Sequence, residues 1–391
     1  MSNEIVNNSL GNIRRIVLYK DADNYLDITR SLIEMSIKES LLNPCLMATM
    51  TFIDTQKMFA TFPINGGELL TVSFKDSSGS DGVANNVSIN FYVSSISPTM
   101  KENTYSKQDK TLTLNLLSEY GFVSKLKRLS YRFKGKLSEI VTLLFREFGS
   151  IDVKNLKIYD DYEVDYVSNF WDIYENVEYL CYKNIDMIFF ETLKNKVFTK
   201  LSTITQTGVK ELWEMSQDTI EFLGSKTNVL EYTYKNFFDI NNMVRNYVFG
   251  NNVYSPNLPN YNYSLESISI SDLLKEYYPL MGNKQQFKSV LMNNRFNRVG
   301  FSTIDLESNS KRNLILQTLL NYNVRCSLKG SLSRSVGDCI SFDIPGIISD
   351  KDNLSIYLKG KWLITEIIHS LDLNGKYLQN ITLFKNAFEG N

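Results

Sequence analysis

VRCSLKGSLSRSVGDCISFDIPG, residues 324–346, and IYLKGKWLITEIIHSLDLNGKYLQNITLF, residues 356–384, hold three apolar alternations separated by glycine-bearing turns. Ile340, Phe342 and Ile344 recur at every second position with Ser341 and Asp343 between them, the period of a strand covered on one face. Trp362 to Ile368 is a β-branched and aromatic run, and a third alternation spans Tyr377 to Phe384. Gly337-Asp338 and Asn374-Gly375 are turn dipeptides that reverse antiparallel strands, because Gly and Asn tolerate positive φ. The stretch is predicted to be an antiparallel meander that helps to form a small barrel.

The same period governs the other end of the chain. Ile33, Met35 and Ile37 alternate with Glu34, Ser36 and Lys38. Leu46, Ala48, Met50 and Phe52 repeat the pattern, as do Leu70, Val72 and Phe74, then Val87, Ile89, Phe91 and Val93, then Leu112, Leu114 and Leu116. With Ile13 to Tyr19 these make about six strands, separated by turn signals at Asn43-Pro44, Asn65-Gly66-Gly67, Asp76 to Asn86 and Ser97-Pro98. One-sided strands at this spacing call for a closed barrel or a sandwich, since an open sheet leaves edges unpaired.

Between the two ends the period shifts to that of helices. Leu137, Ile140, Val141, Leu144 and Phe148 predict a helix that stops at Gly149. Phe170, Ile173, Tyr174, Val177, Leu180 and Cys181 predict a second, started by Ser168 or Asn169. A hairpin follows, Met187 to Thr192 and Val197 to Leu201 around Lys194-Asn195. Strand character returns at Asn228 to Tyr234. A ribbon rich in Asn and Tyr runs from Asn246 to Tyr263 with Pro256 and Pro259, and short helices are expected at Asp272 to Tyr278 and Lys311 to Asn321. The fold class is therefore a β-rich α+β chain with two related antiparallel β-barrels and an inserted α+β region. The expected boundaries are 1–118 for the first barrel, 119–224 with 263–300 for the insert, and 225–262 with 301–391 for the second barrel.

Composition narrows the function. A net charge of −1 over 391 residues gives no global attraction to nucleic acid or anionic membrane. Cys45, Cys181, Cys326 and Cys339 show no paired spacing, which argues against a disulfide framework or a structural zinc site and for a reducing compartment. MSNEIVNNSLGNIRR lacks the pattern of a secretion signal, and no run of about 18 apolar residues occurs. Synthesis as a soluble protein in a cytoplasm is the expectation. The 23 Tyr and 23 Phe suit β-rich surfaces and large interfaces.

Candidate chemistry is sparse. His369 is the single histidine, so any Ser-His-Asp or Cys-His arrangement would have to be built on it. No nucleophile-elbow, zincin, phosphate-loop or dinucleotide motif is present. His369 is read as a hydrogen-bonded structural residue at a strand end. Asp160, Asp161, Glu163 and Asp165 could supply a glycosidase pair. Alternating with Tyr162, Val164 and Tyr166, they fit the solvated face of an edge strand better. The basic run Lys125 to Lys136 interleaves cations with aromatics, but without a basic domain it reads as a charged outer strand face. No catalytic, cofactor-binding or metal site is assigned from the sequence.

The order of barrel, insert, helix and meander resembles the central hub protein of contractile-tail phage baseplates, and more distantly the base of the type VI secretion spike protein VgrG. The residues that carry it are Ile53-Asp54 with Phe62-Pro63-Ile64-Asn65-Gly66-Gly67-Glu68, Phe133 to Val141, and Met187 to Thr192. At the C-terminal end they are Leu328-Lys329-Gly330, Val336-Gly337-Asp338, Ile340, Tyr357, Gly360 to Thr365, His369 and Tyr377. The resemblance implies a virion structural protein assembled in the host cytoplasm. It implies a homotrimer whose two barrels per subunit make a pseudo-sixfold ring between a threefold central spike and a sixfold tail tube. Partners would be the spike, the tube or its initiator, and wedge and tape-measure proteins, with neither sequence-specific nucleic-acid binding nor membrane insertion. The alternative is a tail-associated glycan-binding or cell-wall hydrolase component.

Overall fold

The computed structural model describes residues 13–21, 23–54, 62–76, 85–99, 110–214, 226–236, 250–257, 262–269, 284–285, 296–299, 311–312, 315–316, 323–343, 359–372, 376–385 and 387–388. Seven strands come first: β1 (Ile13–Tyr19), β2 (Tyr25–Asp27), β3 (Leu32–Ser40), β4 (Met47–Asp54), β5 (Leu69–Asp76), β6 (Asn85–Thr99) and β7 (Lys110–Ser118). The insert follows with α1 (Glu119–Val123), β8 (Arg128–Lys136), α2 (Leu137–Leu143), β9 (Leu156–Ile158), β10 (Glu163–Asp172), α3 (Ile173–Tyr182), β11 (Met187–Glu191), β12 (Lys196–Lys200) and α4 (Leu201–Gln206). Then come β13 (Val209–Glu214), β14 (Lys226–Asn228), β15 (Glu231–Asn236), β16 (Gly250–Asn257), β17 (Asn262–Ser269), β18 (Lys284–Gln285) and β19 (Phe296–Val299). The chain closes with β20 (Asn323–Lys329), β21 (Cys339–Asp343), β22 (Gly360–Asp372), β23 (Tyr377–Phe384) and β24 (Ala387–Phe388). The fold is mostly antiparallel and β-rich, with few and short helices.

One 14-stranded sheet joins the two ends of the chain. Its order is β14-β13-β21-β22-β3-β4-β7-β6-β5-β1-β2, with β23 also on β22, then β20 and β15. The first set of strands alternates as its sequence does: Leu70, Val72, Phe74, Phe91, Val93, Met50 and Leu114 all turn inward. The strands do not close into the two expected barrels. The reason is β3. Its outer edge, which would complete the first set, pairs instead with β22, from Ser40 opposite Glu366 to Glu34 opposite Asp372. A 3-10 turn at Thr29–Ser31 bridges toward β1, with the Ile16 amide donating to Thr29 Oγ1 (2.8 Å) and the Ile28 amide to the Ile16 carbonyl (3.0 Å).

The C-terminal meander is also reordered. β20 and β21 are not neighbours: β23 lies between β20 and β22, while β21 pairs with the far side of β22 and, in parallel, with β13. Residues Gly330 to Asp338 therefore cross the end of the sheet rather than turning a hairpin. Gly337 takes φ +90° there, and the Ser335 amide donates to Asp338 Oδ2 (2.8 Å). The Asn374-Gly375 turn lies outside the described residues, although the strands it joins do pair, Leu371 opposite Tyr377.

In the insert, α2 runs on as a π-type turn, Leu144–Gly149, and it is Ser150, at φ +56°, that ends it. Gly149 serves packing: a Cβ there would come within 2.9 Å of Ile151 and Ile173. The second helix starts later than predicted. β10 extends through Asp172, whose side chain accepts from the Glu175 amide while Glu175 accepts from the Asp172 amide, a capping box. Phe170 thus belongs to the strand, at a bulge, with φ +57° and two-thirds exposed. The predicted hairpin is β11–β12, and the Thr192 amide donates to the Asn195 carbonyl (2.8 Å).

Of the Asn- and Tyr-rich ribbon, the described residues lie in β16 and the start of β17, which pair antiparallel, with β19 parallel on the other edge of β16; the rest of the ribbon lies outside the described residues. The Asp272 to Tyr278 helix lies outside the described residues, as does most of Lys311 to Asn321. Three apolar cores result. One fills the first strand set, one surrounds Trp213 and Trp362, and one fills the insert around Tyr120, Phe133, Phe145 and Phe198. Fully burying side chains of this size contributes roughly 1.5–3 kcal/mol each.

Candidate functional site

The alternation of β3 is broken at its end by a carboxylate turned inward. Glu39 is fully buried, as is His369, which sits diagonally across the β3–β22 pairing. Glu39 Oε1 accepts from the Leu193 amide (2.9 Å) and lies 3.3 Å from His369 Nε2, while Oε2 accepts from the Val336 amide (3.2 Å). One carboxylate thereby ties the β11–β12 turn and the Gly330 to Asp338 crossing to the joint between the two strand sets. A carboxylate facing Nε2 places the imidazole proton there, leaving Nδ1 to accept from Tyr377 Oη at 2.8 Å.

The network continues outward without a break. Gln379 Nε2 donates to the Ser331 carbonyl (2.7 Å) and lies 3.3 Å from His369 Nδ1. Its Oε1 accepts from the Ser331 amide (3.1 Å) and from Arg334 Nη1 (2.9 Å). Arg334 Nε donates to Glu211 Oε2 at 2.8 Å, and Trp213 Nε1 donates to the same oxygen at 3.0 Å. Burial alone would raise the Glu211 carboxyl, but the Arg334 guanidinium and these donors hold it below its ordinary value. Among the described residues, the partners of the His369 ring are the Glu39 carboxylate, the Tyr377 phenol and the Gln379 amide. The arrangement fixes strands in place.

A second buried carboxylate ties the insert to the first strand set. Glu191, at the end of β11, accepts from the Leu46 amide (3.1 Å) and from Ser118 Oγ. Burial pushes its carboxyl up, partly offset by the Lys196 charge and these two donors. Sequence reasoning missed both Glu39 and Glu191, although each is a polar residue at a position that the period of its strand assigns to the core.

Three of the four clustered acids are each held by a different partner. Asp160 accepts from the Lys200 amide (2.9 Å) and holds β12 to the loop before β10. Asp161 accepts from the Ser138 amide (3.0 Å) and Ser138 Oγ (2.7 Å) at the start of α2. Burial would raise it, and these bonds bring it below its ordinary value. Asp165 makes a bidentate pair with Arg132 (3.0 and 2.9 Å), which lowers it. Glu163 and Asp165 are exposed while Val164 and Tyr166 are buried, and β10 pairs only with β8 among the described residues. The basic run forms α1's exit and β8, whose Arg128, Arg132, Lys134 and Lys136 face solvent.

Among the described residues no cluster of three His, Cys, Asp or Glu could hold a metal, and no helix is long and apolar enough to cross a membrane. All four cysteines are free thiols. The Glu68 of the first resemblance motif accepts from the Asn65 amide (2.6 Å) and the Gly66 amide (2.9 Å), and Gly66 and Gly67 take φ +100° and +86°, so that motif is a tight turn.

No protein-family model matches the chain, and no curated protein matches its sequence. Solved structures do. A prophage MuSo2 43 kDa tail protein from Shewanella oneidensis superposes with a TM-score of 0.59 at 15% identity, over 96% of this chain and 99% of that one. A tail protein from Neisseria meningitidis MC58 gives 0.58 at 10% identity, over 96% of both chains. The prophage tail protein gp18 from Listeria monocytogenes EGD-e gives 0.50 at 14% identity, over 96% of this chain and 95% of that one. Over 96% of its length, the chain has the fold of these tail proteins.

Proposed function

We propose that this protein is a structural component of a phage tail: the baseplate hub, a homotrimeric ring that adapts a threefold central spike to a sixfold tail tube. The observation that carries the reading is end-to-end likeness of fold to tail proteins of nearly the same length. The strand sets at the two ends of the chain, joined edge to edge through β3 and β22, would give six similar lobes in a trimer, which is what a threefold-to-sixfold adaptor needs. Residues 1–118 would make one lobe, 225–262 with 301–391 the other, and 119–224 with 263–300 the insert beside them. Partners would be the spike, the tube or its initiator, and wedge and tape-measure proteins, in a virion baseplate assembled in the host cytoplasm.

In this reading the protein is not an enzyme. Asp160, Asp161 and Asp165 are engaged in holding β12, α2 and β8, and the buried carboxylates and His369 hold strands together. The purified protein is expected to leave peptidoglycan intact. Turnover abolished by Asp161→Asn or Glu163→Gln, with the fold preserved, would replace the structural reading with a hydrolase. Specific binding on a glycan array, lost on deleting residues 256–263, would replace it with a sugar-binding role.

A further inference from the structure

The two-stranded sheet β8–β10 leaves the outer edge of β8 unpaired among the described residues. A groove of about 690 Å³ runs along that edge. Four consecutive β8 residues, Tyr131 to Lys134, line one wall. Side chains of a strand alternate between faces, so a groove that touches four in a row follows the strand's edge, where alternate amides and carbonyls point outward. The other wall is one face of α2 and its π turn, with Glu139, Thr142, Leu143 and Arg146. An unpaired strand edge beside a helix is the geometry in which an extended segment adds as a new strand, its main chain bonded to the edge and alternate side chains lying in the groove.

The charge pattern says what kind of segment. β8 reads RLSYRFKGK, with Arg128, Arg132, Lys134 and Lys136 and no carboxylate. A second copy of β8 paired to this edge would bring cation against cation, which is destabilising. The strand already paired to β8 shows the complementary pattern. β10 begins EVDYV and sets Glu163 opposite Lys136 and Asp165 opposite Lys134. The groove lining itself holds three cations, Arg132, Lys134 and Arg146, against a single carboxylate, Glu139. Arg132 pairs with Asp165 and Arg146 with Glu147, but both pairs are exposed and exchange partners at little cost.

We propose that the β8–α2 groove is a docking site for an extended acidic segment of another tail protein, in which carboxylates alternate with apolar or aromatic residues, and which adds as a third strand beside β8. That the partner is a tail protein rests on the function proposed above; the groove and its charge pattern do not.

The test uses the full chain and two fluorescein-labelled peptides followed by anisotropy. One is DYEVDYVS, the sequence of residues 161–168, and the other is its charge-reversed form KYKVKYVS. The acidic peptide is expected to bind at least about tenfold tighter than the basic one, with affinity falling as salt rises. Thr142→Trp fills the groove from the helix side without touching β10, and should abolish binding. Lys134→Glu with Arg146→Glu should reverse the preference between the peptides, and it decides the matter if Thr142→Trp fails to fold. Equal binding of the two peptides, no binding of either at millimolar concentration, or acidic-peptide binding unchanged in a normally melting Thr142→Trp would each overturn the proposal.

Discussion

Replacing Glu39 by Ala removes the acceptor for three buried donors at once: the Leu193 amide, the Val336 amide and His369 Nε2. Each unsatisfied buried donor costs about 1–3 kcal/mol. Water entering the space left by the side chain recovers part of that, so the expected loss is about 3–5 kcal/mol. Urea unfolding followed by tryptophan fluorescence reads it well, since Trp213 and Trp362 are fully buried in the core beside the network. Hydrogen exchange should show loss of protection at the Leu193 and Val336 amides before the rest of the sheet. The double variant with His369→Ala should cost less than the sum of the single changes, by about 1–2 kcal/mol, because the two residues share one contact. A Glu39→Ala variant within about 0.5 kcal/mol of the parent, or strict additivity with His369→Ala, would refute the account of this joint.

Other expectations rest on single contacts. Glu191 is raised above its ordinary value of 4.5 in the folded chain, so between 4.5 and its raised value the folded state holds a proton that the unfolded state has released. Its contribution therefore favours folding at low pH and is lost as pH rises through that window; Glu191→Gln should flatten this slope in urea titrations run from pH 4 upward. Gly330→Ala would place a Cβ 2.2 Å from the Tyr377 ring, whose carbonyl accepts from the Gly330 amide. Overpacking of this kind should destabilise by about 1–3 kcal/mol, visible as a lowered melting temperature. Phe170→Gly relieves a left-handed backbone conformation at an exposed position and should stabilise by about 0.5–1 kcal/mol by urea unfolding.

Period-two alternation made most of the strands legible in the sequence, because a side chain at i, i+2 and i+4 must share a face. It gave β1, β3 to β7, the β11–β12 hairpin and β21 to β23, and the 3.6-residue period gave α2 and α3. Strand order was less legible. Nothing in the residues of β22 announces that one edge serves β21 and then β3, so the closed barrels expected from each strand set opened into one sheet. The helix ends were displaced for a local reason: the capping box at Asp172 and Glu175 outcompetes a hydroxyl at Ser168, which donates instead to the Leu129 carbonyl (3.0 Å). His369 reads as structural from its isolation in the sequence, and in the fold it meets Glu39, Tyr377 and Gln379. Its partner Glu39 falls on the inward set with Met35 and Ile37, but the three donors that make a buried carboxylate there tolerable are distant in sequence and visible only in the fold.

The central claim concerns assembly, and imaging the assembled particle tests it most directly. Single-particle electron microscopy of the protein at micromolar concentration should show rings of three 45.1 kDa chains with threefold symmetry, six similar lobes and a central channel. Uniform 45.1 kDa monomers, or an oligomer without a channel, would contradict the account.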